Sequence, residues 1–250
     1  MNGKITIAGI GPSKKSLMTQ EVIEAIDNAT DIIGYSSYIN RIKSRKNLNL
    51  HSSDNRQEHE RAIHAIEIAL NGKNVLIISS GDPSVFAMSS VMFETLDNGP
   101  EIWKEIEIII LPGVTAMLAA SARAGAPLGH DFCAINLSTN LKPWSLIEKR
   151  IALSIECDFV IALYNPRSKS RPDDFVKTLK ILKEKCEENR YIIFAKSVYS
   201  KYEKIKIVKL KDAKVEMADM QTVVIIGSSY SKKIKTKNAS IIYTPRSVKY

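Results

Sequence analysis

The sequence predicts an α/β fold in two domains, a mostly parallel sheet in the first and a mixed sheet in the second. Three observations predict it. Short apolar runs alternate with helix-spaced segments through the first half of the chain, as in βαβ units. Three of those runs close on glycine- and proline-rich turns, at Gly9–Pro12, Ser79–Pro83 and Pro112–Thr115. Beyond Pro112 several strands follow one another with little helix between them, which divides the chain into domains 1–112 and 113–250.

The elements follow from spacing. Lys4–Ala8 alternates as a strand and ends at Gly9. Thr19 is placed to cap a helix whose buried face is Val22, Ala25, Ile26 and Ala29. Asp31–Gly34 reads as a short strand, and Gln57–Asn71 as a helix with Ala62, Ile66, Ala69 and Leu70 on one face and Gly72 as its stop. A strand at Val75–Ile78 leads to Asp82-Pro83, which reads as an N-cap and first helical position before a helix carrying Met88, Val91 and Met92. Ile106–Leu111 is a further strand. In the second domain a small-residue helix, Val114–Ala124, precedes strands at Phe132–Leu137, Phe159–Leu163, Tyr191–Ala195, Ile205–Leu210 and Thr222–Ile226. Lys232–Lys237 reads as a solvated turn, and no internal repeat is found.

Composition narrows the classes. The chain has 250 residues, 44% hydrophobic and 25% charged, enough for a large core without disulfide or metal staples. Its longest apolar stretches fall far short of the roughly 20 residues of a membrane-spanning helix. The opening Met1-Asn2-Gly3-Lys4 shows no secretory signal, so a cytoplasmic location is expected. Cys133, Cys157 and Cys186 are widely spaced and read as reduced packing residues. His51, His59, His64 and His130 show no metal-ligand spacing, so no protein-bound metal is expected. Lys and Arg number 36 against 27 Asp and Glu, a net charge of +9 that favours polyanions, either nucleic acid or a small polycarboxylate. A merely solvated lysine surface is the plainer explanation.

The three turns lie where open α/β sheets bind ligands, at the carboxyl ends of strands. Gly9-Ile10-Gly11 is not a dinucleotide fingerprint, because the third glycine position holds Lys14 and Pro12 lacks an N–H. No phosphate-binding P-loop is present in the sequence. Asp82 beside Gly81 could accept hydrogen bonds from a ligand hydroxyl or ammonium as well as capping a helix. Gly129-His130-Asp131 offers an imidazole next to a carboxylate, material for proton transfer near neutral pH. Tyr164-Asn165-Pro166-Arg167-Ser168-Lys169-Ser170-Arg171 ends a strand with three cations and is the best anion site in the sequence.

Those residues, with Gly34-Tyr35, Arg56-Gln57-Glu58, Pro112-Gly113-Val114-Thr115-Ala116, the run from Gly125 to Phe132, Pro143-Trp144 and Thr244-Pro245-Arg246, resemble the tetrapyrrole methyltransferases of cobalamin biosynthesis. Within them the chain is most similar to the branch that methylates precorrin-3B at C-17. The resemblance spans nearly the whole chain. Its most specific motifs are Gly129-His130-Asp131-Phe132 and Leu163-Tyr164-Asn165-Pro166-Arg167-Ser168.

The resemblance implies a two-domain class III methyltransferase fold, an active site in the interdomain cleft, a homodimer, and S-adenosylmethionine as donor with S-adenosylhomocysteine as product. It implies donor contacts from Pro12, Gly81, Asp82, Val85, Thr115, Ala116, Tyr164 and Ser197. Substrate carboxylates would be held by Arg56, Asn165, Arg167, Lys169 and Arg171. Methylation in this branch is coupled to ring contraction, for which His130 and Asp131 are the expected proton-transfer residues, with Tyr164 and Arg167 as electrostatic stabilisers. Two departures stand out: Ser13 replaces a familiar glycine, and Ala195-Lys196-Ser197-Val198-Tyr199 occupies the place of Arg-Asn-Ala-Gly-Arg. Methylation of another corrin carbon, or of ribosomal RNA, is the alternative. The motifs fit a metal-free or a cobalt-bearing substrate equally, and any cobalt would belong to the substrate.

Overall fold

Runs of isoleucine and valine too short for helices pair side by side in the first sheet. The computed structural model describes residues 3–54, 57–237 and 239–247. They divide into two compact units, Met1–Ala116 and Met117–Tyr250, so the turn after Pro112 belongs with the first.

In the first unit β1 (Lys4–Gly9), β2 (Asp31–Tyr35), β3 (Asn49–Ser53), β4 (Val75–Ser79) and β5 (Glu107–Leu111) form a sheet in the order β3-β2-β4-β1-β5. All of its pairings are parallel. The helices are α1 (Gln20–Asn28), α2 (Ser36–Ile39), α3 (Glu58–Leu70) and α4 (Met88–Asp97). Strand side chains alternate between two buried faces. Ile5, Ile7, Ile33, Val75 and Ile77 pack with Ala62 and Ile66 of α3 and Met88 and Met92 of α4. Ala8, Ile32, Leu76 and Ile78 pack with Val22 of α1 and with Ile39. Thr19 caps α1 as its position predicts, accepting from the Val22 N–H at 3.3 Å.

The second unit holds the rest of α5 (Ala116–Ala124), then β6 (Gly125–Ala126), β7 (Phe132–Asn136), α6 (Trp144–Glu156), β8 (Val160–Tyr164), α7 (Asp174–Lys185), β9 (Tyr191–Lys196), β10 (Lys204–Lys209), β11 (Thr222–Ile226), β12 (Lys232–Lys235) and β13 (Ser240–Tyr243). One sheet has the order β10-β9-β11-β8-β7 and a smaller one β12-β13-β6. The larger is mixed: β7 and β8 are parallel, and its other pairings antiparallel.

Four expectations need correction. Two full helices, α6 and α7, stand between strands of the second domain where little helix was expected; α6 buries Ile147, Ile151 and Ile155 along one face. Asp82 caps no helix, because α4 begins only at Met88 and the left-handed Phe86 (φ 54°) turns the chain before it. Lys232–Lys235 is a strand, fully exposed and paired antiparallel with β13, because a strand solvated on both faces loses the alternation that marks one. Cys157 is exposed, whereas Cys133 and Cys186 are half-buried, and all three are free thiols. Among the described residues no helix is long and apolar enough to cross a membrane.

Candidate active site

Three adjacent strands of the first sheet, β4, β1 and β5, carry the three predicted turns at their carboxyl ends. Glycine lets those turns meet backbone to backbone. Gly11 and Gly81 exchange N–H to carbonyl bonds of 3.2 and 3.1 Å, both in left-handed conformations at φ 64° and 69°. A β-carbon placed at Gly9 would lie 2.6 Å from the Gly81 oxygen and 2.8 Å from the Gly113 nitrogen, and one at Gly113 would strike the carbonyl oxygens of Gly81 and Gly9. At Gly81 a β-carbon would lie 3.6 Å from the Thr115 Cα, an ordinary van der Waals contact, so conformation, not crowding, requires glycine there.

Asp82 locks this arrangement. One carboxylate oxygen accepts from the Ser84 N–H at 2.8 Å and the other from the Gly113 N–H at 3.0 Å, joining the second turn to the third. Pro12, Val85 and Ala116 are half-buried around these turns and Thr115 is buried. Sequence reasoning placed all of these residues here except the brace beneath them. Arg41 donates through Nη2 to the carbonyls of Ile10 (3.2 Å) and Ser13 (2.9 Å), and the Tyr38 hydroxyl lies beside Ser80. Burial pushes the Tyr38 phenol up and lowers the Arg41 guanidinium. The only sequence signal for either is proximity to Gly34-Tyr35.

In the second unit the loops that follow β7 and β8 are joined by one main-chain bond and one between side chains. The Leu137 N–H bonds the Tyr164 carbonyl at 3.0 Å, and the Asn165 amide donates to the Asn136 side chain at 3.1 Å. Asn165 is held at φ 51°, a conformation Asn tolerates better than most residues. The Tyr164 hydroxyl accepts from the Met117 N–H at 2.9 Å, near the start of α5. Arg171, expected at a substrate carboxylate, is instead 8% exposed and paired with the equally buried Asp174 at 3.1 Å. Arg167 is half-buried and Lys169 exposed on the same loop.

His130 and Asp131 lie in the turn before β7, with Nδ1 and the carboxylate 3.6 Å apart and side chains 34% and 78% exposed. Thr244 fixes this turn: its hydroxyl donates to the Pro127 carbonyl at 2.6 Å, and its N–H to the Ala126 carbonyl at 3.1 Å. The sequence motif contained Thr244 without revealing that role. Ser197 follows β9 in a left-handed conformation (φ 47°), as does Tyr199 (φ 61°), under the guanidinium of Arg123 at 3.9 Å. Backbone strain of this kind collects at functional loops. Arg56 lies outside the described residues. Among the described residues no group of three or more His, Cys, Asp or Glu side chains could hold a metal ion.

Comparison with known proteins gives this geometry a context. The family model of tetrapyrrole (corrin/porphyrin) methylases matches residues 4–214. The chain is similar to a precorrin-3B C(17)-methyltransferase of a Sinorhizobium species, 43% identical and covering 98% of this chain and 97% of that one. It is also similar to a probable cobalt-factor III C(17)-methyltransferase of Salmonella typhimurium, at 35% identity over 97% and 98% of the two chains. Among solved structures it matches the methyltransferase CobJ with TM-score 0.93 and 52% identity, covering 97% and 100%. A uroporphyrin-III C-methyl transferase of Thermus thermophilus, complexed with S-adenyl homocysteine, matches with TM-score 0.68 and 16% identity over 90% and 97%, a likeness of fold alone.

Proposed function

The chain belongs to the tetrapyrrole (corrin/porphyrin) methylases, and from that premise we propose that it methylates precorrin-3B or cobalt-factor III at C-17, with contraction of the macrocycle, in cobalamin biosynthesis. The observation that carries this reading is that its likeness to C(17)-methyltransferases runs end to end in both chains. The residues present fit S-adenosylmethionine: the turns at Gly9, Gly81 and Gly113 present main chain at the carboxyl ends of three adjacent parallel strands, where open α/β sheets bind ligands. The bound donor supplies a methyl group already activated on sulfur, so no enzyme nucleophile is required.

Pro12, Gly81, Asp82, Val85, Thr115 and Ala116 of the first unit, with Tyr164 and Ser197 of the second, are the proposed donor contacts. Their contribution is to orient the donor and keep water from it. Arg167 and Lys169 are the proposed partners of substrate carboxylates, with Arg56 as a further candidate from its motif. Asn165 and Arg171 act on the same loop from behind, through Asn136 and Asp174. His130 is the proposed base and acid for ring contraction, and the Asp131 carboxylate stabilises its protonated form. A homodimer and a cytoplasmic location complete the reading.

The test is incubation of the purified protein with S-adenosylmethionine and, separately, precorrin-3B, cobalt-factor III and ribosomal RNA, followed by mass spectrometry and absorbance. One added methyl with a ring-contracted spectrum is expected from a tetrapyrrole. Methylated RNA, or a methyl on another ring carbon, would overturn the proposal. Light scattering checks the dimer.

A further inference from the structure

Arg41 and Tyr38 have no part in the site residues above, yet Arg41 bonds the first glycine turn and the Tyr38 hydroxyl lies beside the second. Arg41 is half-buried, and both of its hydrogen bonds go to main-chain carbonyls of the first turn, Ile10 at 3.2 Å and Ser13 at 2.9 Å. No described carboxylate pairs with it among the ion pairs of the structure. Tyr38, three residues earlier, has its hydroxyl beside Ser80 of the second turn and packs edge-to-face on Tyr35 with ring centroids 5.3 Å apart. One short segment, α2 and its flanks, therefore reaches two turns that are themselves paired through Gly11 and Gly81.

We propose that Arg41, assisted by Tyr38, is a positioning residue for the methyl donor, holding the first two glycine turns in the shape that receives it. A turn made of glycine has no side chains to fix it, so its shape depends on what its carbonyls meet. Both Arg41 bonds come from one nitrogen, Nη2, whose two N–H groups are fixed in the plane of a rigid guanidinium and so aimed in set directions, which the rotating ammonium of a lysine on a flexible stem does less well. Hydrogen bonds to a charged donor contribute more than neutral ones, and loss of such a pair corresponds to roughly a 10- to 100-fold change in an equilibrium constant. Arg41 touches neither donor nor acceptor in this account; it acts through the Ile10 and Ser13 carbonyls.

The inference rests on S-adenosylmethionine being the donor, so wild-type protein is first titrated with S-adenosylhomocysteine by calorimetry. Absence of wild-type binding would sink the donor reading itself, and this inference with it. Given wild-type binding, Arg41→Gln is expected to weaken S-adenosylhomocysteine and raise KM for S-adenosylmethionine by about 10- to 100-fold. The tetrapyrrole KM, kcat at saturating donor and the unfolding midpoint should stay within about twofold or a few degrees. Arg41→Lys should fall between the two, and Tyr38→Phe should weaken the donor several-fold. Unchanged donor affinity in Arg41→Gln would overturn the inference with the donor reading intact. So would parallel loss of donor affinity, acceptor affinity and thermal stability in Arg41→Gln and Arg41→Lys alike, which is the pattern of a residue that only supports folding.

Discussion

The two units build their loops from different materials. In the first, Gly9, Gly11, Gly81 and Gly113 let three strand-end turns touch main chain to main chain, and the one carboxylate among them, Asp82, is itself bonded to backbone N–H groups. In the second, loops at β7, β8 and β9 are held by side chains: Asn165 to Asn136, Arg171 to Asp174, Lys196 to Asp219, Tyr164 to the Met117 N–H. Main-chain contacts as close as those at Gly9 and Gly113 are intolerant of a single added carbon, and side-chain support also reaches them from outside the turns, from Arg41. A side-chain-built loop can be retuned one residue at a time.

Substitutions should separate these two behaviours. The largest effect is expected in the second unit, where Asp174→Ala strands the buried Arg171 guanidinium and should cost about 4 kcal/mol of stability in urea unfolding. The double change Arg171→Met with Asp174→Leu should restore most of that loss, since a well-packed apolar pair can replace a buried ion pair. Gly113→Ala comes next, at about 3 kcal/mol, because its methyl group must displace the Gly9 and Gly81 carbonyls. It should also abolish measurable S-adenosylhomocysteine binding, whereas Asp174→Ala should leave the first unit's turns unchanged. If Gly113→Ala bound normally, the backbone-built description would fail.

His130→Ala should slow ring contraction by about 100-fold or more, seen as a methylated but uncontracted product or as stalled turnover. Tyr164→Phe removes the acceptor of the Met117 N–H and should cost about 1 kcal/mol, read as a shift of the unfolding midpoint. The smallest effect concerns acid. Burial alone would raise the Asp219 carboxyl, but hydrogen bonds from Lys196 and Thr222 outweigh it and hold the group below its usual range. At Glu187 burial is likewise overcome, chiefly by Arg190. Both contributions are therefore complete above the ordinary carboxylate pKa and disappear as pH falls through the lowered values. Both side chains are largely exposed, so each should be worth only a few tenths of a kcal/mol. Asp219→Asn should flatten the acid limb of the stability curve slightly and leave neutral pH nearly unaffected.

What could be read from the sequence follows the same division. The first unit's turns were legible because glycine and proline mark sharp reversals wherever they close an apolar run. The proposed donor contacts there, Pro12, Gly81, Asp82, Val85, Thr115 and Ala116, lie within or next to those turns. The brace was not legible, since Arg41 sits in a basic stretch, Arg41-Ile42-Lys43-Ser44-Arg45-Lys46, where nothing separates a half-buried arginine from solvated lysines. The burial of Arg171 was hidden for the opposite reason. Three cations on one loop look alike in sequence, and only the packing of Asp174, three residues later at the start of α7, draws one of them inside. Asp82 was misread because an aspartate that receives the N–H two residues ahead looks the same whether a helix or a lone turn follows.

The lysine strand β12 bears on how the protein lives among its own copies. It forms one edge of the smallest sheet, and an edge offers unpaired N–H and carbonyl groups to any passing extended chain. Lys232, Lys233 and Lys235 occupy three of its four positions, all solvent-facing, so a neighbour adding itself there would bring like charges together. A protein this rich in isoleucine strands could lengthen its sheets from molecule to molecule. Its most exposed edge repels that growth, and replacing those lysines with threonine or valine would put solubility, rather than catalysis, at risk.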